Sequence, residues 1–122
     1  MTVLIVEDEV EIRESLEDFL SDQGYSVAIA ADGADALEQL STKEPPSLVI
    51  LDLLLPRVNG NEVYDRMQAD PRLSKVPVII STSDPSRAPT GPTVMKKPID
   101  LGRLLRAVRF FYREKPSTET KP

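Results

Sequence analysis

Three apolar runs in this sequence end in a charged or hydroxyl side chain, and a lysine follows a fourth, shorter candidate strand. Glu7 and Asp8 follow Val3-Leu4-Ile5-Val6, and Asp52 follows Leu48-Val49-Ile50-Leu51. Thr82 closes Val78-Ile79-Ile80-Ser81, and Lys97 comes directly after the shorter Thr93 to Lys96. Histidine and cysteine are absent. That excludes imidazole bases, histidine- or thiolate-bound metals and disulfides. The chemistry left belongs to carboxylates, ammonium, guanidinium and hydroxyl groups. Three carboxylates held close repel one another, so either one keeps a proton or a cation relieves the repulsion. Magnesium suits an all-oxygen site with one or two direct carboxylates and several waters. A carboxylate on such a metal can attack phosphorus as a nucleophile. The acyl phosphate so formed needs an ammonium and a hydroxyl donor beside it, the types that Lys97 and Thr82 supply. Taken singly, each residue has a plainer role: a solvated acidic loop, a structural hydroxyl, a Lys-Pro turn. Their conjunction in this order carries the argument.

The elements between these positions explain how one cleft can gather them. Continuous apolar runs of four or five residues read as strands buried on both faces. Between the first two, Ile12, Leu16, Phe19 and Leu20 recur at helical spacing, and Gly24 suits the end of that helix. Tyr25 to Ala30 reads as the second strand, and Asp32 as the N-cap of a helix carrying Ala36, Leu37 and Leu40. Pro45-Pro46 stops that helix; a later short one carries Val63 and Met67. Leu101, Leu104, Leu105, Val108, Phe111 and Tyr112 mark the last. Alternating strands and helices predict an α/β fold, an open parallel sheet with helices on both faces. In such sheets ligands bind outside the carboxyl ends of the strands, where Glu7, Asp8, Asp52, Thr82 and Lys97 would stand.

Length and composition bound the rest. A chain of 122 residues supports one domain with a real core. We expect that domain over residues 1–115 and a disordered polar tail over 116–122. No run of apolar residues is long enough to cross a membrane, and the N-terminus turns acidic at Glu7 rather than reading as a signal peptide. The net charge of −5 weighs against general nucleic-acid binding. A cytoplasmic protein, without membrane insertion or direct nucleic-acid contact, is expected.

Four motifs in order resemble the receiver domains of bacterial two-component response regulators, over about residues 2 to 114. They are Val3-Leu4-Ile5-Val6-Glu7-Asp8-Glu9, Leu51-Asp52-Leu53-Leu54-Leu55-Pro56 with Asn59-Gly60, Val78-Ile79-Ile80-Ser81-Thr82-Ser83, and Lys97-Pro98-Ile99-Asp100. The resemblance implies a flavodoxin-like, doubly wound sheet of five parallel strands in the order 2-1-3-4-5. It implies that Asp52 is the phosphoacceptor and that Asp8, Asp52 and the backbone carbonyl of Leu54 bind magnesium, with Glu7 acting mainly through a metal-bound water. Lys97 would pair with phosphoryl oxygens, Thr82 would move to hydrogen-bond one of them, and Ser83 is small enough to leave the aspartate accessible. The Lys97-Pro98 bond would be cis. The partners implied are a sensor histidine kinase or phosphotransfer protein and a downstream protein. The domain would be a signalling switch rather than an enzyme.

Two features depart from the family. Thr82 and Lys97 stand fifteen positions apart, roughly seven fewer than usual, about two helical turns. The interval holds Pro85, Pro89, Gly91 and Pro92, which no ordinary amphipathic helix accommodates. The fourth helix of the family is therefore expected to be degenerate. Val94 also stands where a switching aromatic is frequent.

Two other functions compete. A receiver-like binding module that works without phosphate usually lacks an acidic residue, the threonine or the lysine, and all are present here. A haloacid-dehalogenase-like phosphohydrolase needs an acid two residues after its nucleophile, where this chain has Leu54. Finally, the last helix is basic: from Leu101 to Lys115 there are five basic residues and one acid. Its Arg103, Arg106 and Arg109 are expected to face outward and to meet either an acidic partner or the acidic first helix of a second copy. The plainer reading is a solvated helix whose late positive charge suits its dipole.

Overall fold

The computed structural model describes residues 2–113; the expected tail lies outside them. Five strands, β1 (Thr2–Val6), β2 (Ser26–Ala30), β3 (Leu48–Asp52), β4 (Val78–Thr82) and β5 (Thr93–Lys96), form one parallel sheet in the order 2-1-3-4-5. The helices are α1 (Val10–Asp22), α2 (Gly33–Thr42), α3 (Gly60–Ala69) and α4 (Leu101–Arg113). Strand alternation splits the core in two. Leu4, Val6, Val49, Leu51, Val78 and Ile80 pack with Ala36, Leu40, Val63 and Met67 of α2 and α3. Val3, Ile5, Leu48, Ile50 and Ile79 pack with Leu16, Leu20, Leu104 and Val108 of α1 and α4. Burial on both faces is why these strands read as unbroken apolar runs.

Local signals set the helix ends. Asp32 caps α2 by accepting from the Asp35 N–H at 2.8 Å, and Asn59 caps α3 by accepting from Glu62 at 3.0 Å. Gly24 takes φ +95° just after α1, a left-handed conformation that a Cβ would strain. On α4 the stripe is shifted from the spacing estimate: Leu101 is exposed and Leu105 half-buried, while Ala107, Phe111 and Tyr112 complete the packed face. Leu101 is the first residue of α4, where no preceding turn covers it.

Between β4 and β5 the chain makes a single 3-10 turn, Pro85–Arg87, and then bends its way into β5, with Gly91 at φ +119°. The degenerate helix expected there from the prolines is what the fold contains. Ala88 packs against the core, and Asn61 on α3 reaches the Arg87 carbonyl at 3.4 Å, tying the segment down. No helix among the described residues is long and apolar enough to cross a membrane.

Candidate functional site: an acidic cleft at the sheet edge

Strand register builds the site. Val6 pairs with Leu51 and Asp52 with Ser81, so Glu7 and Asp52 leave the sheet side by side. Thr82 pairs with Lys96, and the Lys97 N–H donates to the Thr82 carbonyl at 2.9 Å. The lysine thus enters from the end of β5, two strands along from Asp52 on β3. Its Nζ lies 3.0 Å from Glu7 Oε1 and 3.4 Å from Asp52 Oδ2. Glu7 and Asp52 are only 2% and 4% exposed, whereas Asp8 opens to solvent. Carboxylate oxygens of all three lie within 4.8 Å of one another.

The electrostatics follow from this crowding. Burial, and then the charge of Glu7, push the Asp52 carboxyl up to about 6; Lys97 and the Leu54 N–H, which donates to Oδ1 at 3.3 Å, pull the other way. Burial works against the Lys97 ammonium, but its hydrogen bond to Glu7 and the charges of Asp52 and Glu7 outweigh that, and its pKa is raised. One ammonium cannot balance three carboxylates, so the cleft keeps a negative excess that favours a further cation. Its all-oxygen, mixed buried and open donor set fits magnesium.

The remaining expected residues fall around this cluster in different ways. Leu54 lends its N–H to Asp52 while its side chain is 55% exposed. Ser83 is exposed at the rim. Thr82 is buried, but its hydroxyl accepts from the Asp84 N–H at 3.0 Å and lies 3.4 Å from the Asp84 carbonyl. Strand alternation sets Thr82 with Val78 and Ile80, on the side opposite Ile50 and Asp52. The hydroxyl must leave its own loop before it can serve a group on Asp52. The Lys97-Pro98 peptide is cis.

Three supports of the site went unread in the sequence. Arg13 folds back from α1 to donate to the Glu7 carbonyl at 3.0 Å. Arg57, at φ +70°, grips Asp32 with Nη2 at 2.9 Å and Nε at 3.2 Å. It thereby ties the loop after Asp52 to the start of α2. Gly60 presses on the Asp52 backbone: a Cβ there would come within 2.3 Å of the Asp52 carbonyl oxygen. The Asn59-Gly60 step was the signal for the last; nothing local announces an ion pair across twenty-five residues.

The family model for the response regulator receiver domain matches residues 3–109. The chain belongs to that family. A receiver domain of a signal transduction histidine kinase from Syntrophus aciditrophicus superposes on this receiver with TM-score 0.87 at 29% identity, covering 99% of this chain and 96% of that one. The response regulator MprA of Mycobacterium avium is 37% identical over 83 residues, which are 68% of this chain and 35% of that protein. The receiver therefore spans about a third of the length of the curated relatives it matches. At 23% identity and TM-score 0.82, the receiver domain of the Pseudomonas aeruginosa sensor histidine kinase PA1611 shares the fold, over 90% of this chain and 95% of that one. That structure holds a magnesium ion coordinated in its active site cleft.

Proposed function

We propose that this receiver is the phosphoacceptor of a two-component pathway. In this reading Asp52 takes a phosphoryl group, in a magnesium-dependent reaction, from a phosphohistidine on a sensor histidine kinase or phosphotransfer protein. The observation that carries the reading is the buried Asp52 carboxylate held between the Lys97 ammonium and the Glu7–Asp8 pair. An Asp52 oxygen attacks phosphorus, the phosphorus–nitrogen bond breaks, and its electron pair returns to the donor's imidazole. With a carboxyl pKa near 6 the nucleophile is mostly ionised at neutral pH.

Glu7, Asp8, Asp52 and the Leu54 carbonyl are the groups that would hold magnesium, which when bound neutralises carboxylate and phosphoryl charge. Lys97 screens the new phosphoryl oxygens and gives up part of its hold on Glu7. Thr82 trades its hydrogen bond to the Asp84 N–H for one to the phosphoryl group, and exposed Ser83 leaves the approach open. That exchange reshapes the segment from Asp84 onward, a surface for a downstream protein. The setting is cytoplasmic, with neither nucleic acid nor membrane touched directly.

Acetyl phosphate with magnesium, read by intact mass and peptide mapping, tests the reading. One phosphoryl addition on Asp52, absent without magnesium and absent in Asp52→Asn, is expected. Equal modification of Asp52→Asn, or modification indifferent to the metal, overturns it.

A further inference from the structure

The loop from Leu53 to Asn59 joins the phosphoacceptor to α3, and its shape is held from outside. Gly60 closes it by donating its N–H to the Leu53 carbonyl at 2.8 Å. Towards its far end the Val58 N–H donates to the Pro56 carbonyl, again at 2.8 Å, with Arg57 between them at φ +70°. A three-residue turn with a positive central φ is the rare, strained form of the γ-turn. A non-glycine residue keeps such a conformation only where its surroundings impose it. Two contacts impose it here, both from the start of α2. The Arg57 guanidinium forks onto Asp32, with Nε donating to Oδ2 at 3.2 Å and Nη2 to Oδ1 at 3.0 Å. The Val58 backbone lies against Gly33, where a Cβ would fall on the Val58 carbonyl. Asp32 is itself fixed, because its Oδ1 caps α2 through the Asp35 N–H.

We propose that Arg57 is a positioning residue for the phosphoryl and metal site, acting through its clamp on Asp32. Among the described residues neither is hydrogen-bonded or ion-paired to Glu7, Asp52 or Lys97. The turn they hold instead sets the path of Leu53 to Pro56, and with it the Leu54 peptide. The Leu54 N–H donates to Asp52 Oδ1, and its carbonyl is the backbone group assigned to magnesium. To global stability the pair contributes little, since the Arg57 side chain is 63% exposed and exposed ion pairs are screened. The role of the fork is geometric: it holds the turn against its strain and leaves the loop one conformation. The consequence for magnesium rests on the phosphoacceptor reading of Asp52; the clamp itself does not. The sign of the metal effect separates positioning from charge. If Arg57 acted only by its charge, removing that charge from a loop of an acidic cleft would tighten magnesium binding. Removing a positioning residue weakens it.

Arg57→Asn in the full chain is the decisive variant. Asparagine tolerates the left-handed conformation, so the turn keeps a residue that fits it, but the fork onto Asp32 is gone. Arg57→Lys keeps the charge without the fork, and Asp32→Asn keeps the helix cap without the charge. Thermal melts and backbone order parameters from nitrogen relaxation are measured in EDTA, and the magnesium Kd is titrated by amide chemical shift. Arg57→Asn should melt within a few degrees of wild type. Its order parameters between Leu53 and Asn59 should fall from about 0.85 towards about 0.6, and its magnesium Kd should rise about tenfold. Arg57→Lys should fall between the two. Asp32→Asn should match Arg57→Asn, and combining both substitutions should add less than about twofold, because they break one interaction. A magnesium Kd unchanged or lower in Arg57→Asn, or loop order kept at the wild-type level, overturns the proposal. So does order lost throughout the domain rather than between Leu53 and Asn59, which marks a general structural role. A wild type indifferent to magnesium refutes the metal reading of Asp52 instead, and loop order in EDTA then still decides the clamp.

Discussion

Replacing Asp52 by Asn should make the metal-free protein more stable, although it removes a buried group with two polar partners. The carboxyl is 4% exposed and its pKa stands near 6 against an ordinary 3.8. Burial is the main cause, and Glu7 adds to it. A shift of about two units, at about 1.36 kcal/mol each, makes ionisation in the fold cost on the order of 3 kcal/mol. Asparagine keeps an oxygen for the Leu54 N–H but buries an amide NH2 beside Lys97, which returns about 1 kcal/mol. A net gain of about 1–2 kcal/mol should appear in EDTA near neutral pH, roughly 3–8 °C in Tm for a domain of this size. The pH dependence has a definite sign. Between about 4 and 6 the folded wild type holds a proton that the unfolded chain has released, so its stability rises as pH falls through that window. Above it both states are ionised and the penalty is constant. Urea and thermal melts of the two proteins should therefore converge by about pH 4.5, the asparagine variant being blind to this group. If Asp52→Asn is the less stable protein in EDTA near neutral pH, or if its advantage persists unchanged in acid, the reasoning from carboxylate crowding fails.

Three further outcomes follow from the same geometry. Millimolar magnesium should raise the wild-type Tm, by about 1.4 kcal/mol at ten times Kd, and Asp8→Ala should abolish the effect while leaving the metal-free melt nearly unchanged, because Asp8 is exposed; a response retained in Asp8→Ala contradicts the metal assignment. Gly60→Ala should cost about 2–4 kcal/mol in urea melts and slow phosphorylation by acetyl phosphate, since a Cβ meets the Asp52 carbonyl oxygen at 2.3 Å; unchanged stability and rate would show that the loop yields freely. Leu54→Asn, at a side chain 55% exposed, should shift stability by no more than about 0.5 kcal/mol yet shorten the life of the acyl phosphate, because an amide can hydrogen-bond an attacking water and leucine cannot; phosphoryl decay no faster than wild type would remove Leu54 from that role.

Much of the fold was legible in the sequence because burial leaves a local imprint. A strand covered on both faces must be apolar throughout, so Val3 to Val6 and Leu48 to Leu51 declare themselves. Four prolines and glycines between Pro85 and Pro92 forbid a regular helix whatever surrounds them, and the chain makes only a 3-10 turn there. Polar residues at the ends of such strands point to the carboxyl edge by the rule for parallel sheets, which placed Glu7, Asp52 and Lys97 together before any distance was known. What tertiary structure alone decided is which partner each group takes. Lys97 sits closer to Glu7 than to Asp52, the Thr82 hydroxyl turns to its own loop, and Arg57 reaches Asp32. The adjacency of an acidic α1 and a basic α4, some ninety residues apart in the chain, likewise comes only from strand order, which sets both helices on one face. Periodicity reports whether a side chain is buried; it carries no information about which distant element buries it, because that depends on crossovers and on competition among partners within a few ångströms.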